Sequence, residues 1–308
     1  MTKLAVILFN MGGPDKLESV EPFLFNLFND PDIIHAPKFF RYFIAKYISR
    51  KRAPIAKKIY KEIGGKSPLL NSTIEQAKAL EVLLSRKQEV RVFVAMRYWR
   101  PMTDETVVDV IAFAPDEIVL LPLYPQFSTA TSGSSLKEWK RVASIAGIHA
   151  PTYAICCYPD EPGFIEAQKK LILKNLVEAS RFGKPRVLFS AHGLPEKTVL
   201  RGDPYSKQVE QTVRSLVAVL GVSDLDFEIC YQSRVGKMEW IKPYIKDEIT
   251  RAAEDGVSLV VVPIAFVSEH SETLVELDIE YRNMAMKLGV PAYFRAPTVS
   301  ASKDFMEG

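Results

Sequence analysis

The sequence predicts an α/β protein built as two similar doubly wound domains, each with a parallel sheet, and a cleft between them. Three observations predict it. Apolar runs of strand length recur along the 308 residues; stretches of helical period separate them; and the two halves echo each other. Near-continuous hydrophobic strands alternating with helices are the pattern of parallel sheets covered on both faces.

In chain order the runs are "KLAVILFNM", "EVRVFVAMRY", "EIVLLPLYP", "TYAICCYP", "RVLFSAH", "DFEICYQS", "LVVVPIAFV" and "PAYFRAP". "VILFNMGGP" (6–14) resembles "VLFSAHGLP" (187–195), and "LLPLYPQFS" (120–128) resembles "VVPIAFVSE" (261–269). In each pair an apolar strand gives way to polar or glycine residues where it should end. The domains are therefore expected at 1–150 and 151–308. Ligands of such folds sit past the carboxyl ends of strands. That rule gathers Met11 and Gly12, Arg97 and Tyr98, Tyr124, His192, Gln232 and Ser233, and the segment "SEH" at 268–270.

Composition narrows the function. Lys and Arg exceed Asp and Glu by 40 − 37 = +3, too little to argue for nucleic acid. Cys156, Cys157 and Cys230 form no disulfide framework and no CxxC knuckle, which fits a reducing cytoplasm. No apolar run approaches the roughly 20 residues of a membrane span, and "MTKLAVILFNMGG" has no signal-peptide h-region. "NMGGP" lacks GxGxxG spacing, "TSGSSL" is ordinary loop chemistry, and no Walker A sequence occurs, so nucleotide dependence has no support.

The stretch "SEHSETLVELDIE" (268–280) follows the most apolar strand. Ser271 reads as an N-cap, and the helix dipole favours Glu272 in the first turn. At 100° per residue Glu272, Glu276 and Glu280 fall at about 0°, 40° and 80°, a row of their own. Leu274, Leu277, Tyr281, Met284 and Leu288 fall at about 120–200°, the expected core stripe. A solvated acidic face and a path for cations both fit this row. His192 ends a strand at a glycine-containing turn, where imidazole could take a proton or ligate a metal. His270 offers a second ring beside the acids, and Glu269 extends them. His35 and His149 lie outside any such setting, and four histidines make a closed structural zinc site a poor expectation.

Segment 23–54 is rich in Phe, Ile, Leu and Tyr and ends in Arg50, Lys51 and Arg52. It reads either as an amphipathic core helix with a charged end or as an apolar lip. A lip would hold a flat, greasy, anionic ligand or rest on a membrane surface. Arg97 and Tyr98 add a second anion contact.

Taken together, "NMGGP" (10–14), "IGGKSPL" (63–69), "MRYWRP" (96–101), "YPQFSTATSGSS" (124–135), "FSAHGLP" (189–195), "GDPY" (202–205), "YQSRVGKMEW" (231–240) and "PIAFVSEHSETLVELDIEY" (263–281) resemble the ferrochelatase family over nearly the whole chain. The resemblance implies a chelatase-like fold of two Rossmann-like domains without a nucleotide, inserting ferrous iron into a porphyrin held in the cleft. It implies that His192 and Glu272 face the porphyrin centre as iron ligands or proton acceptors, with Glu276 and Glu280 continuing the acidic row. Met11, Arg97, Tyr98, Tyr124 and Trp240 would line the macrocycle's pocket, with Phe266 and His270 in the same substrate-binding set and Arg52 near the propionates. Metalation removes two pyrrole protons while the metal sheds water, so a base and replaceable ligands are needed. No organic cofactor is required; iron is a substrate. Some family members hold a [2Fe–2S] cluster, but Thr129 stands at one ligand position and no cysteine follows Cys230, so no cluster is expected. The chain stops at "FMEG", where relatives usually continue into a closing helix. "NMGGP" resembles the protoporphyrin-using branch. Rival readings are a chelatase for another metal or tetrapyrrole, a non-catalytic porphyrin carrier, and a two-domain sugar transferase.

Overall fold

In the computed structural model, which describes residues 2–86, 88–236 and 238–308, eight strands form two sheets. The strands are β1 (Lys3–Asn10), β2 (Glu89–Met96), β3 (Glu117–Pro122), β4 (Thr152–Ala154), β5 (Pro185–His192), β6 (Asp226–Gln232), β7 (Ser258–Pro263) and β8 (Tyr293–Arg295). One sheet has the order β2-β1-β3-β4 and the other β6-β5-β7-β8, and every pairing is parallel. Both match the order in which a doubly wound sheet reverses direction between its two central strands.

Two units result, Met1–Cys157 and Tyr158–Gly308. The boundary lies a few residues beyond the expected 150, because β4 hydrogen-bonds to β3 and so closes the first sheet. The central strands explain the continuous apolar runs. All six residues of β7 are buried, and burying each Val or Leu contributes roughly 1.5–3 kcal/mol. In the first unit Ile7, Phe9, Phe93, Ile118 and Leu120 pack around Trp139; in the second Leu188, Ile245, Val261, Leu277 and Tyr281 share one core.

The strand-end echo is structural as well as sequential. Leu123 N donates to Phe9 O in the first unit, and Ile264 N donates to Ser190 O in the second. These pairs hold the registers that align 6–14 with 187–195 and 120–128 with 261–269.

Segment 23–54 is not one helix. A helix at Val20–Phe28 stops at Asn29, and a 25-residue helix, Lys38–Glu62, begins after Pro37. Its buried side is small, Ala45, Ser49 and Ala53, at the i, i+4, i+8 spacing that lets helices approach closely. The aromatic residues of its first turns point the other way, Phe39, Phe43 and Tyr47 being 68%, 54% and 66% exposed, while Tyr60 near its end is buried. The ridge is therefore not core. No helix among the described residues is long and apolar enough to cross a membrane.

The largest departure from expectation follows β7. Glu272–Tyr281 is a π-helix, with i→i+5 bonding and a wider turn than the α-helix assumed at 100° per residue. The buried residues are Thr273, Val275, Leu277 and Tyr281; Leu288, expected on the core stripe, is 44% exposed. Ser271 makes no side-chain cap bond.

Candidate functional site

The second unit carries the reactive groups at the point where its sheet reverses. His192 is the last residue of β5, and the π-helix follows the neighbouring central strand, β7. His192 pairs with Gln232 at the end of β6. The next residue must be small: a Cβ on Gly193 would lie 3.1 Å from Gln232 O and 3.2 Å from the Trp240 ring. The strand ends therefore close together, and Ser233 leaves β6 with a φ of 64°.

Five side chains then meet in a row, with Gln232 beside them. His192 Nδ1 lies 2.8 Å from Glu272 Oε2. Ser233 Oγ lies 3.1 Å from the same oxygen and 2.5 Å from Glu276 Oε2. Glu276 also accepts from Ser233 N at 3.0 Å, Gln232 Nε2 at 3.2 Å and Tyr281 OH at 2.6 Å. Gln232 Oε1 in turn accepts from Ser190 Oγ at 2.7 Å. The result is one hydrogen-bonded chain from imidazole through carboxylate, hydroxyl and carboxylate to phenol.

The electrostatics separate the two acids. Burial works against ionising Glu272, but the His192 charge and hydrogen bond, helped by the His270 charge and Ser233, pull it down to about 2. Burial and the neighbouring Glu272 charge push Glu276 up despite its bonds to Ser233 and Tyr281. Burial alone would lower His192, yet Glu272, and behind it the Glu276 charge, raise it above the usual histidine value. Glu272 is thus the standing anion and Glu276 the acid that holds a proton longer.

The remaining expected residues divide. Glu280 is exposed at the far end of the π-helix. Glu269 is not part of the row: its Oε1 accepts from Arg295 Nη1 at 2.6 Å and from Thr298 N at 3.0 Å. His270 is buried, its Nδ1 3.2 Å from Ser268 O and its ring centroid 4.5 Å from Phe266. Trp240 is buried and donates Nε1 to Val235 O at 3.0 Å, its ring 6.3 Å from His192 and edge-on. Among the described residues no three His, Cys, Asp or Glu side chains form a metal-holding group.

In the first unit Arg97 is already paired. Its Nη2 lies 2.8 Å from Asp30 Oδ2 and its Nε 2.7 Å from Ser134 Oγ. Tyr98 OH donates to the same Asp30 oxygen at 2.9 Å and is buried with it. The expectation of a second anion contact at Arg97 and Tyr98 overlooked Asp30, which lies 67 residues before Arg97 in the chain. Burial pushes the Tyr124 phenol well up, so it stays neutral. Met11 is partly buried against the Val20, Phe23 and Tyr98 cluster, and Arg52 lies over the Phe28 ring at 5.8 Å.

Sequence reasoning placed Tyr281 in the core and left Asp278 and Arg295 unmarked. "DIEY" and "YFRA" show no signal that a 17-residue separation becomes an ion pair.

Comparison with known proteins fits this geometry. The Ferrochelatase family profile matches residues 3–308. The chain is 52% identical to Ferrochelatase of Pelagibacter ubique over 308 residues, covering 99% of this chain and 89% of that one. It is 50% identical to Ferrochelatase of Caulobacter vibrioides, covering 99% and 88%. Among solved structures it is similar to SirB from Bacillus subtilis with Fe3+, at 14% identity and a TM-score of 0.53, covering 100% and 92%. It is equally similar in fold to the sirohydrochlorin chelatase SirB of Bacillus subtilis subspecies spizizenii in complex with cobalt, at 10% identity. These structural likenesses concern the fold alone.

Proposed function

The chain belongs to the ferrochelatase family, and from that premise we propose that it inserts ferrous iron into protoporphyrin IX with His192 and Glu272 as the metalating pair. The observation that carries this is the 2.8 Å contact between His192 Nδ1 and Glu272 Oε2 at the sheet's reversal point.

The contact supports one assignment of the proton chemistry. An ionised Glu272 accepts from Nδ1–H, which fixes the imidazole tautomer and leaves the Nε2 lone pair free. Nε2 can then take a pyrrole proton, and the Glu272 charge stabilises the imidazolium that forms. Insertion releases two protons for each iron bound. Glu276, raised by burial and by Glu272, is the second acceptor, reached through Ser233 Oγ. The same carboxylates can replace waters on the incoming cation, since hard oxygen donors release a divalent ion readily compared with thiolates.

The reaction runs without an organic cofactor and, on this reading, without an iron–sulfur cluster. Thr129 stands where some relatives place a cysteine, and Cys230 is sealed in the second core. The exposed Phe39, Phe43 and Tyr47 ridge, with Lys46, Arg50 and Lys51 beside it, supports peripheral contact with an anionic membrane. Loss of vesicle flotation in Phe43→Ser/Tyr47→Ser, with parental flotation on anionic but not neutral vesicles, is the expected result; no flotation of the parent removes the contact.

The test of the central reading is anaerobic ferrous-iron insertion into protoporphyrin IX, followed by porphyrin absorbance. The parent should turn over, and His192→Ala and Glu272→Gln should bind porphyrin but lose turnover. Porphyrin binding without turnover in the parent would identify a carrier instead.

A further inference from the structure

Glu272 and Glu276 sit on a segment that needs outside support. A ten-residue π-helix has poorer intrinsic standing than an α-helix, since i→i+5 turns normally survive only as short insertions. Its register decides where both carboxylates point. The side of the segment away from His192 is strapped to β8, the short edge strand. Arg295 at the end of β8 reaches Asp278 through Nε at 2.9 Å and through Nη2, and reaches Glu269 through Nη1 at 2.6 Å. Tyr293 OH donates to Leu277 O at 2.8 Å, and Arg282 Nη1 donates to Tyr293 O at 2.7 Å. Glu269 precedes the π-helix and Asp278 lies within it, so one guanidinium grips the chain on both sides of Glu272 and Glu276.

We propose that Arg295 is a positioning residue for metalation: its fork pins Glu269 and Asp278 to β8 and so holds the π-helix in the register that brings Glu272 to His192 and Glu276 to Ser233. The arrangement suits arginine and not lysine. Two carboxylates nine residues apart must be held at once, one of them by two nitrogens, and a single ammonium cannot do this. The side chain is only 8% exposed, so the fork is held without competing water. Its charge also matters locally. Without it Glu269 and Asp278 would add two uncompensated acids to Glu272, Glu276 and Glu280 within twelve residues.

The inference rests on the functional reading above, and its test separates the two. Arg295→Lys and the neutral triple variant Arg295→Met/Glu269→Gln/Asp278→Asn are compared with the parent in the full chain. The readouts are kcat for ferrous insertion, the Kd for protoporphyrin by fluorescence quenching, and hydrogen exchange resolved by mass spectrometry. Arg295→Lys should keep porphyrin Kd within about twofold while kcat falls on the order of 100-fold, the scale of an ångström misplacement. Exchange should quicken in 272–282 and not in the β5 and β7 strands. The triple variant leaves no carboxylate unpaired, so its thermal midpoint should recover toward the parent while kcat stays low. Recovery of kcat in the triple variant would reduce Arg295 to charge compensation and overturn the proposal, as would parental kcat and exchange in Arg295→Lys. A parent that does not metalate refutes the functional reading, and unchanged exchange in both variants would still refute the clamp.

Discussion

Ser233 joins a strained backbone to a central hydroxyl, and two substitutions separate these. Its φ of 64° is in the left-handed region, which costs an L-residue about 1–2 kcal/mol. Its Oγ bridges Glu276 at 2.5 Å and Glu272 at 3.1 Å. Ser233→Ala removes the bridge and keeps the strain. A hydrogen bond to a charged group contributes about 1.5–3 kcal/mol, and Glu276 retains Ser233 N, Gln232 and Tyr281, so the lower end applies. Ser233→Gly removes the same bridge but relieves the strain, partly offset by about 0.5–1 kcal/mol of extra chain entropy. The glycine variant should therefore be the more stable of the two by about 1 kcal/mol, read as a higher urea midpoint at equal m-value. Both should lose kcat together, by about tenfold, or about 1.4 kcal/mol of barrier, because both lack the hydroxyl that passes a proton between the carboxylates. An alanine variant as stable as the glycine one would refute the strained backbone. Parental kcat in either would refute the bridge.

In Glu272→Gln the imidazole of His192 should titrate at lower pH than in the parent, since burial remains and the raising charge is gone; an unchanged NMR titration would mean the pair is not electrostatically coupled. Glu269 has its pKa lowered, burial being outweighed by Arg295 and the Thr298 amide. Its stabilisation is therefore present above the unfolded value of about 4.3 and lost as pH falls through the folded one. Parent and Glu269→Gln should differ in thermal midpoint at pH 7 and converge toward pH 3, and a constant gap would contradict the ion pair. A Cβ at Gly12, where φ is 83°, would lie 3.0 Å from Trp99 N and 3.1 Å from Met96 Cβ. Gly12→Ala should cost about 1–3 kcal/mol in urea unfolding, and a shift below about 0.5 kcal/mol would show that the turn relaxes.

The strands were readable because parallel strands buried on both faces leave unbroken apolar runs, as "SLVVVP" in β7 does. The switch-point rule then led to His192 and to the segment holding Glu272, two residues 80 positions apart that the fold brings to 2.8 Å. Other features had no local signature. An i→i+5 helix has the composition of an α-helix, so the α-helical period predicts Leu288 in the core and misses the depth of Val275. Arg97 looked like a free cation because Asp30 lies in another loop, and Glu269 looked like one more acid because Arg295 lies 26 residues on. Patterns of period expose burial; they do not expose which charges become each other's partners.

That distinction shows in how one topology, made twice, carries the imidazole–carboxylate cluster once. Both units end their first central strand at a glycine and follow their second with a π-helical turn, Thr129–Gly133 in one and Glu272–Tyr281 in the other. In the shared register Met11 stands where the second unit has His192, and "TSGSS" (131–135) stands where it has "ETLVE" (272–276). The first unit thus offers a thioether and hydroxyls, which do not ionise near neutral pH and can neither accept a pyrrole proton nor balance a dication. The second offers an imidazole, an anion and a raised carboxyl within one hydrogen-bonded chain. Backbone geometry creates the reversal point in both sheets, and only the second places an imidazole and two hydrogen-bonded carboxyl groups there.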